Sequence, residues 1–192
     1  MPVAGFRTWI CLSLIWAWSG CALPAGDVLS PEGAYYESLR SQERGEAFSR
    51  WERLHPPQRA LFDRWAAAEW RIVKLLDSRP LSDDYRREAR TTMGLAARGE
   101  HGSGRSLFHA VIATEPMGEL TLLQRIGARV RTVEMQDARA TLTTWAGDRV
   151  HLVRHTDDVW YLGLPQEVAS EVAAATRQAE GNLQRLETPA TP

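Results

Sequence analysis

The sequence predicts an α+β fold: several N-terminal helices, a four-stranded antiparallel meander and a C-terminal helix. Three observations carry this. Between Ser30 and Ile126 apolar residues recur at intervals of three and four, the helical period. From Arg129 the pattern changes to β-rich alternation of period two. The alternating stretches are separated only by short turns containing Gly and Asp, which join neighbouring strands antiparallel. Helices segregated from an antiparallel meander define an α+β arrangement rather than a series of βαβ units.

The elements follow in order. Ser30-Pro31-Glu32 starts the first helix, with Ser30 as N-cap, Pro31 in the first turn and Glu32 near the positive end of the dipole. Ala34, Tyr35 and Leu39 follow at helical spacing, and Gly45 ends or kinks the element. A short helix over about 46–54 carries Phe48, Trp51 and Leu54, and Pro56-Pro57 breaks it. Over about 57–77, Leu61, Trp65, Ala68, Ile72 and Leu75 define one apolar helical face. Ser82, with Asp83 and Asp84 behind it, caps a helix over about 82–98 that is expected to bury Tyr85, Ala89, Met93 and Ala96. Gly99 to Gly104 reads as a loop, and two short helical segments, 105–115 and 118–127, flank Pro116. Strands are expected at 129–135, 138–145, 149–155 and 158–164, with turns at Gln136-Asp137, Ala146-Gly147-Asp148 and Thr156-Asp157-Asp158. A helix over 165–187 has Val168, Val172, Ala175, Ala179 and Leu183 on one side, and residues 188–192 form a tail.

The chain has 192 residues, 44% hydrophobic and 24% charged, with a net charge of −1. No basic block is present, so the electrostatic footprint of a nucleic-acid binder is missing. Lys74 is the only lysine among 23 basic residues, a bias ascribed to base composition rather than to an anion site. Both cysteines, Cys11 and Cys21, lie near the N-terminus, so the region after them has neither a disulfide framework nor a cysteine metal site.

The first twenty residues read as an export signal. Arg7 and the amino terminus supply positive charge ahead of TWICLSLIWAW, residues 8–18. That apolar run falls well short of the ~20 residues a transmembrane helix needs. It ends in Trp18-Ser19-Gly20-Cys21, which resembles the lipobox of bacterial lipoproteins. The resemblance implies diacylglycerol attached to the Cys21 sulfur and cleavage just before that residue. Ala22, rather than Asp, after the cysteine implies the outer membrane. Trp18 stands where the family carries an aliphatic residue, so two alternatives remain. One is ordinary signal peptidase cleavage, for example after Ala22 or Ala25, giving a soluble secreted or periplasmic domain. The other is an uncleaved segment. The expected organisation is therefore a signal peptide over 1–20, a lipidated Cys21 with a tether to residue 29, and a single domain over 30–187. The partner expected first is the membrane, through the lipid; an envelope protein or a small apolar ligand comes second, and nucleic acid is excluded.

Two further blocks carry a resemblance. LSPEGAYYESLRSQERGEAFSRWERLHP is similar to the opening helices of NTF2-like (nuclear transport factor 2-like) lipoprotein domains, and ARATLTTWAGDRVHLVRHTDDVWYLGLP to their terminal strands. This implies a curved sheet covered by helices and carries over no catalytic residue. Residues 57–127 hold more helix than that family requires, and a helix follows the last strand.

No chemical signature emerges from the five histidines. His151 and His155 are four apart, but on a strand that separation spans about 13 Å, too far for one metal. Asp157-Asp158 reads as a turn. The loop GEHGSGR, 99–105, matches neither a dinucleotide nor a phosphate loop, and Ser103 lacks the context of a hydrolase nucleophile. No cofactor, metal ligand or catalytic residue is assigned. Four residues are candidates for lining a ligand pocket: Trp70, Trp145, His109 and Tyr161. The function expected is that of a binding or scaffolding module in the cell envelope, with an NTF2-like isomerase or hydrolase as the alternative.

Overall fold

The computed structural model describes residues 23–24, 26–44, 49–92, 102–112 and 120–188. The leader, Cys21 and residues 93–101 lie outside them. Among the described residues there are seven helices and one four-stranded antiparallel sheet, an α+β arrangement with a C-terminal helix. The helices are α1 (Pro31–Glu43), α2 (Ser49–Arg53), α3 (Pro56–Ser78), α4 (Asp83–Thr92), α5 (Gly104–Val111), α6 (Leu122–Gly127) and α7 (Gln166–Glu187). The strands are β1 (Val130–Gln136), β2 (Arg139–Thr144), β3 (Arg149–Arg154) and β4 (Trp160–Gly163), adjacent in chain order. They group into two compact units. One comprises residues 23–44 and 120–162, the other 49–112 and 163–188.

The first unit is the sheet with α1 laid on one face. Ser30 caps α1 as the sequence predicts, its Oγ accepting from Gly33 N–H at 3.1 Å. In the sheet, Val133 pairs with Leu142 and Leu142 with Val150, while Met135 pairs with Ala140 and Ala140 with Leu152. These pairs share a face, and Ala140, Leu142, Leu152 and Trp160 bury it against Ala34, Tyr35 and Tyr36 of α1. The opposite face carries Thr132, Glu134, Thr141, Thr143, His151 and Tyr161, the polar half of the alternation. A bulge between Val130 and Thr132 sets Arg131 outside the ladder.

Two tyrosines fasten α1 to the junction of α6 and β1. Tyr35 Oη donates to Ala128 O at 3.0 Å, and Tyr36 Oη accepts from Val130 N–H at 2.9 Å. Burial, reinforced by the charge of Asp148, raises the Tyr35 pKa above its ordinary value near 10. Folding thus favours the neutral phenol. Its contribution is complete below pH ~10 and is lost as pH rises above that, because the unfolded state ionises first. The unit is expected to lose up to about 1.4 kcal/mol per pH unit in this range. Alkaline denaturation followed by circular dichroism checks this, and the slope should vanish in Tyr35→Phe.

Residues 23, 24 and 26–29 belong to the stretch that the sequence leaves as a tether, and they pack along α1. Leu23 is buried in the sheet core, and its carbonyl accepts from Arg40 Nη2 at 3.1 Å. Gly26 lies against Glu37, and Asp27 against Gly33. Trp160 N–H then donates to Val28 O at 2.9 Å, adding the segment to β4. The chain thus runs antiparallel to α1, from its C-terminal end to its N-cap.

The second unit is built on α3. Phe62, Trp65, Ala66, Ala68, Glu69, Ile72 and Leu76 are buried, whereas Leu61 and Leu75 are half-buried. The buried stripe is therefore rotated from the predicted one and wider. The cause is that α5 and α7 both pack on this helix, so two flanks are covered. Phe62 is the aromatic hub. Its ring lies 6.2 Å from Trp51, 6.3 Å from Trp65 and 5.4 Å from Phe108, the last edge-on. Along α7, Val172 and Ala179 are buried as predicted, joined by Thr176, whose hydroxyl donates to Val172 O at 2.8 Å.

Helix α4 departs from expectation. It buries no residue: Tyr85 is exposed and Ala89 half-buried, while Met93 and Ala96 lie outside the described residues. Ala89 packs against Ile72 and Leu76 of α3, and ion pairs add to this contact, with Arg90 on Asp77 of α3 and Arg86 on Asp83 within α4. The sequence pattern placed Tyr85 inward because it counted an aromatic as apolar without weighing the arginines around it.

Candidate functional site

The four predicted pocket residues divide between the two units. Trp145 and Tyr161 belong to the sheet unit, and Trp70 and His109 to the helical unit. None of the four is buried.

In the sheet unit, Tyr161 points to the polar face. Its hydroxyl donates to Asp157 Oδ2 at 2.7 Å, and its ring meets His155 edge-on at 6.0 Å. Asp157 also accepts from Val159 N–H at 3.1 Å, while Asp158 turns the chain at φ 63°. The Tyr161 hydroxyl, above all, holds the Asp157 carboxyl below its ordinary pKa. The acidic pair therefore builds a turn, as its position between strands suggests. His151 Nδ1 lies 3.4 Å from Thr141 Oγ1, its cross-strand neighbour. Among the described residues no group of three His, Cys, Asp or Glu could hold a metal ion.

Trp145 stands at the end of β2, 64% exposed, with the Arg131 guanidinium 5.5 Å from its ring centroid. Its backbone N–H donates to Arg129 O, and the next backbone N–H, of Ala146, donates to Gly127 O, both at 2.9 Å. These bonds hold the turn after β2 against the end of α6. There Leu122, Leu123 and Ile126 are also exposed, at 54%, 81% and 49%. Spaced by three and four, they share one side of α6. Arg125, on another side, is tied to Glu43 at the end of α1, with 2.9 Å between Nε and Oε1. Sequence reasoning passed over this cluster, since a short apolar run beside a strand reads as core. Its one signal was that TLLQRIGA supplies more apolar positions than a two-turn helix can bury.

In the helical unit, Trp70 is flanked by Lys74, whose Nζ sits 4.7 Å from the ring centroid, and by Gly102 at φ 59°. A Cβ at Gly102 would lie 3.1 Å from the Trp70 side chain, so the indole supports the loop ahead of α5. His109 is half-buried, its ring edge-on to Phe108 at 5.5 Å. Burial first, then the charges of Arg105 and Arg50, lowers its pKa. The neutral imidazole is thereby favoured. Glu69, unremarked in the sequence, is a buried carboxylate that accepts from Trp65 Nε1 at 2.7 Å. A polar cleft of about 410 Å³ lies between α3 and α4, lined by Asp77, Asp83, Arg86, Arg87, Arg90 and Thr91. Its arginines are met locally by acids, Asp83 for Arg86, Asp84 for Arg87 and Asp77 for Arg90.

Among the described residues no helix is long and apolar enough to cross a membrane. Comparison with family models, curated proteins and solved structures gives no match.

Proposed function

We propose that this protein is exported and anchored by lipid at Cys21, and that it serves the cell envelope as a binding or scaffolding module facing the periplasm from the outer membrane. The observation that carries this is the end of the apolar run, Ser19-Gly20-Cys21, after a core of about eleven residues that suits a signal peptide. The packing of Leu23 supports it against one rival. Cleavage after Ala25 would remove Leu23, a buried residue of the sheet core, whereas cleavage before Cys21 keeps it. Two or three acyl chains are enough to hold such a domain, at about 0.8 kcal/mol per buried CH₂.

The intact mass of the protein recovered from native membranes tests the reading. The expected mass is that of a chain beginning at Cys21 plus a diacylglyceryl group and an amide-linked acyl chain. Cys21→Ser is expected to move the domain from the membrane to the soluble fraction. An unmodified chain beginning at Leu23, or a Cys21→Ser protein that fractionates as its parent does, would sink lipidation.

The alternative, an NTF2-like enzyme with a small-molecule pocket, draws on Glu69, a carboxylate withdrawn from solvent. Its hydrogen bond from Trp65 gives it a structural role within α3. The same mass measurement, made without denaturation, would reveal a retained ligand.

A further inference from the structure

The start of the described chain and the exposed apolar cluster lie at the same end of α1. Leu23 is fixed to Arg40, in the last turn of α1, at 3.1 Å. Three residues on, Glu43 is fixed to Arg125 of α6 at 2.9 Å. Cys21 is two residues before Leu23, within about 7 Å of extended chain. A lipid on Cys21 would have almost no tether, because Leu23 and residues 26–28 are taken up along α1 and β4. The sheet unit would be drawn against the bilayer with this end foremost.

The chemistry of that end suits a bilayer. Leu122, Leu123 and Ile126 project from α6 beside Trp145, all about half exposed or more. Monomeric proteins seldom leave such large apolar side chains grouped in water without a surface to meet. Tryptophan favours the headgroup level, where its ring is apolar and its N–H is wet. Arg131 lies over Trp145, and Arg149 starts β3, across the same end of the sheet. Both are exposed, and the one exposed carboxylate in the adjoining turn, Asp148, is engaged by Thr144. Exposed apolar tips with arginines around them match a membrane surface bearing anionic headgroups.

We infer that α6 and Trp145 form a membrane-contact face, with the Leu122, Leu123, Ile126 and Trp145 side chains entering the interfacial layer and Arg131 and Arg149 meeting lipid phosphates. This rests on the Cys21 anchor proposed above. The anchor supplies attachment; the face sets orientation, fixing which side of the sheet unit is turned from the membrane and open to partners.

The test uses the absence of cysteine after Cys21. Leu123→Cys, Trp145→Cys and, as a reference, Ala138→Cys at the turn between β1 and β2, the opposite end of the same sheet, each take one environment-sensitive fluorophore. Leu123 is 81% exposed and Ala138 is exposed as well, so those two labels leave the core intact. The full lipidated protein is reconstituted into vesicles of phosphatidylethanolamine and phosphatidylglycerol, with or without brominated acyl chains. Bromine is expected to quench the labels at 123 and 145 by about twofold and to leave the label at 138 unchanged, as contact with the interfacial layer requires. Equal quenching at all three sites in vesicle-bound protein would overturn the contact face and leave the anchor standing. Labels at 123 and 145 shielded from aqueous iodide but untouched by bromine would assign the face to a protein, which also overturns it. Protein that never binds vesicles, with an unmodified mass, would remove the anchor and the face together.

Discussion

Phe62→Ala is expected to destabilise the helical unit by about 3–5 kcal/mol, close to the whole stability of many domains. Phe62 is fully buried and touches the rings of Trp51, Trp65 and Phe108. Those rings come from α2, α3 and α5, so the cavity would sit where three helices meet. Large aromatics held by several elements cannot collapse into the space, and residual volume sets the cost. The measurement is urea unfolding followed by tryptophan fluorescence, with Leu75→Ala as the contrast. Leu75 lies on the face the sequence favours, yet is only half-buried. Its loss should cost about half as much or less, in proportion to the apolar area it hides. Equal costs at the two positions would contradict the rotated stripe.

Gly33→Ala is expected to cost the sheet unit about 3 kcal/mol, the upper end of the range for overpacking. Gly33 sits in the first turn of α1, where alanine would ordinarily improve a helix. Here a Cβ would fall well inside contact distance of the backbone carbonyl and nitrogen of Asp27. Neither can rotate aside as a side chain would. The 26–30 segment must lift, breaking the bond from Trp160 N–H to Val28 O and loosening Leu23. Thermal unfolding by circular dichroism reads the loss. Faster hydrogen exchange at the Trp160 amide identifies its origin, whereas an unchanged Trp160 amide would show that the segment is not held by this packing.

Ser30 as N-cap and the four strands were legible because capping and alternation are local properties. The short turns at Asp137 and Gly147 also fixed neighbouring strands antiparallel, so the order β1-β2-β3-β4 followed. The apolar stripe of α3 was legible in type and not in angle. Its width depends on α5 and α7, which lie far along the chain. Tyr85 was misplaced because the ion pair from Arg90 to Asp77 comes from another helix. The pocket candidates fared differently. Aromatic identity marks Trp70, Trp145 and Tyr161 as candidates, but only packing shows one supporting a loop, one exposed at a turn and one bonded to Asp157.

By itself the sequence determined the α+β class and the order of elements. Each depends on residues near one another in the chain, where period, caps and turn chemistry act. The tertiary structure decided where Leu23 goes, which apolar side chains stay in water and what lies beside them. Exposure is a property of neighbours brought together by folding: Leu123 and Phe62 are both apolar residues on helices, and only their surroundings separate a core hub from a surface tip.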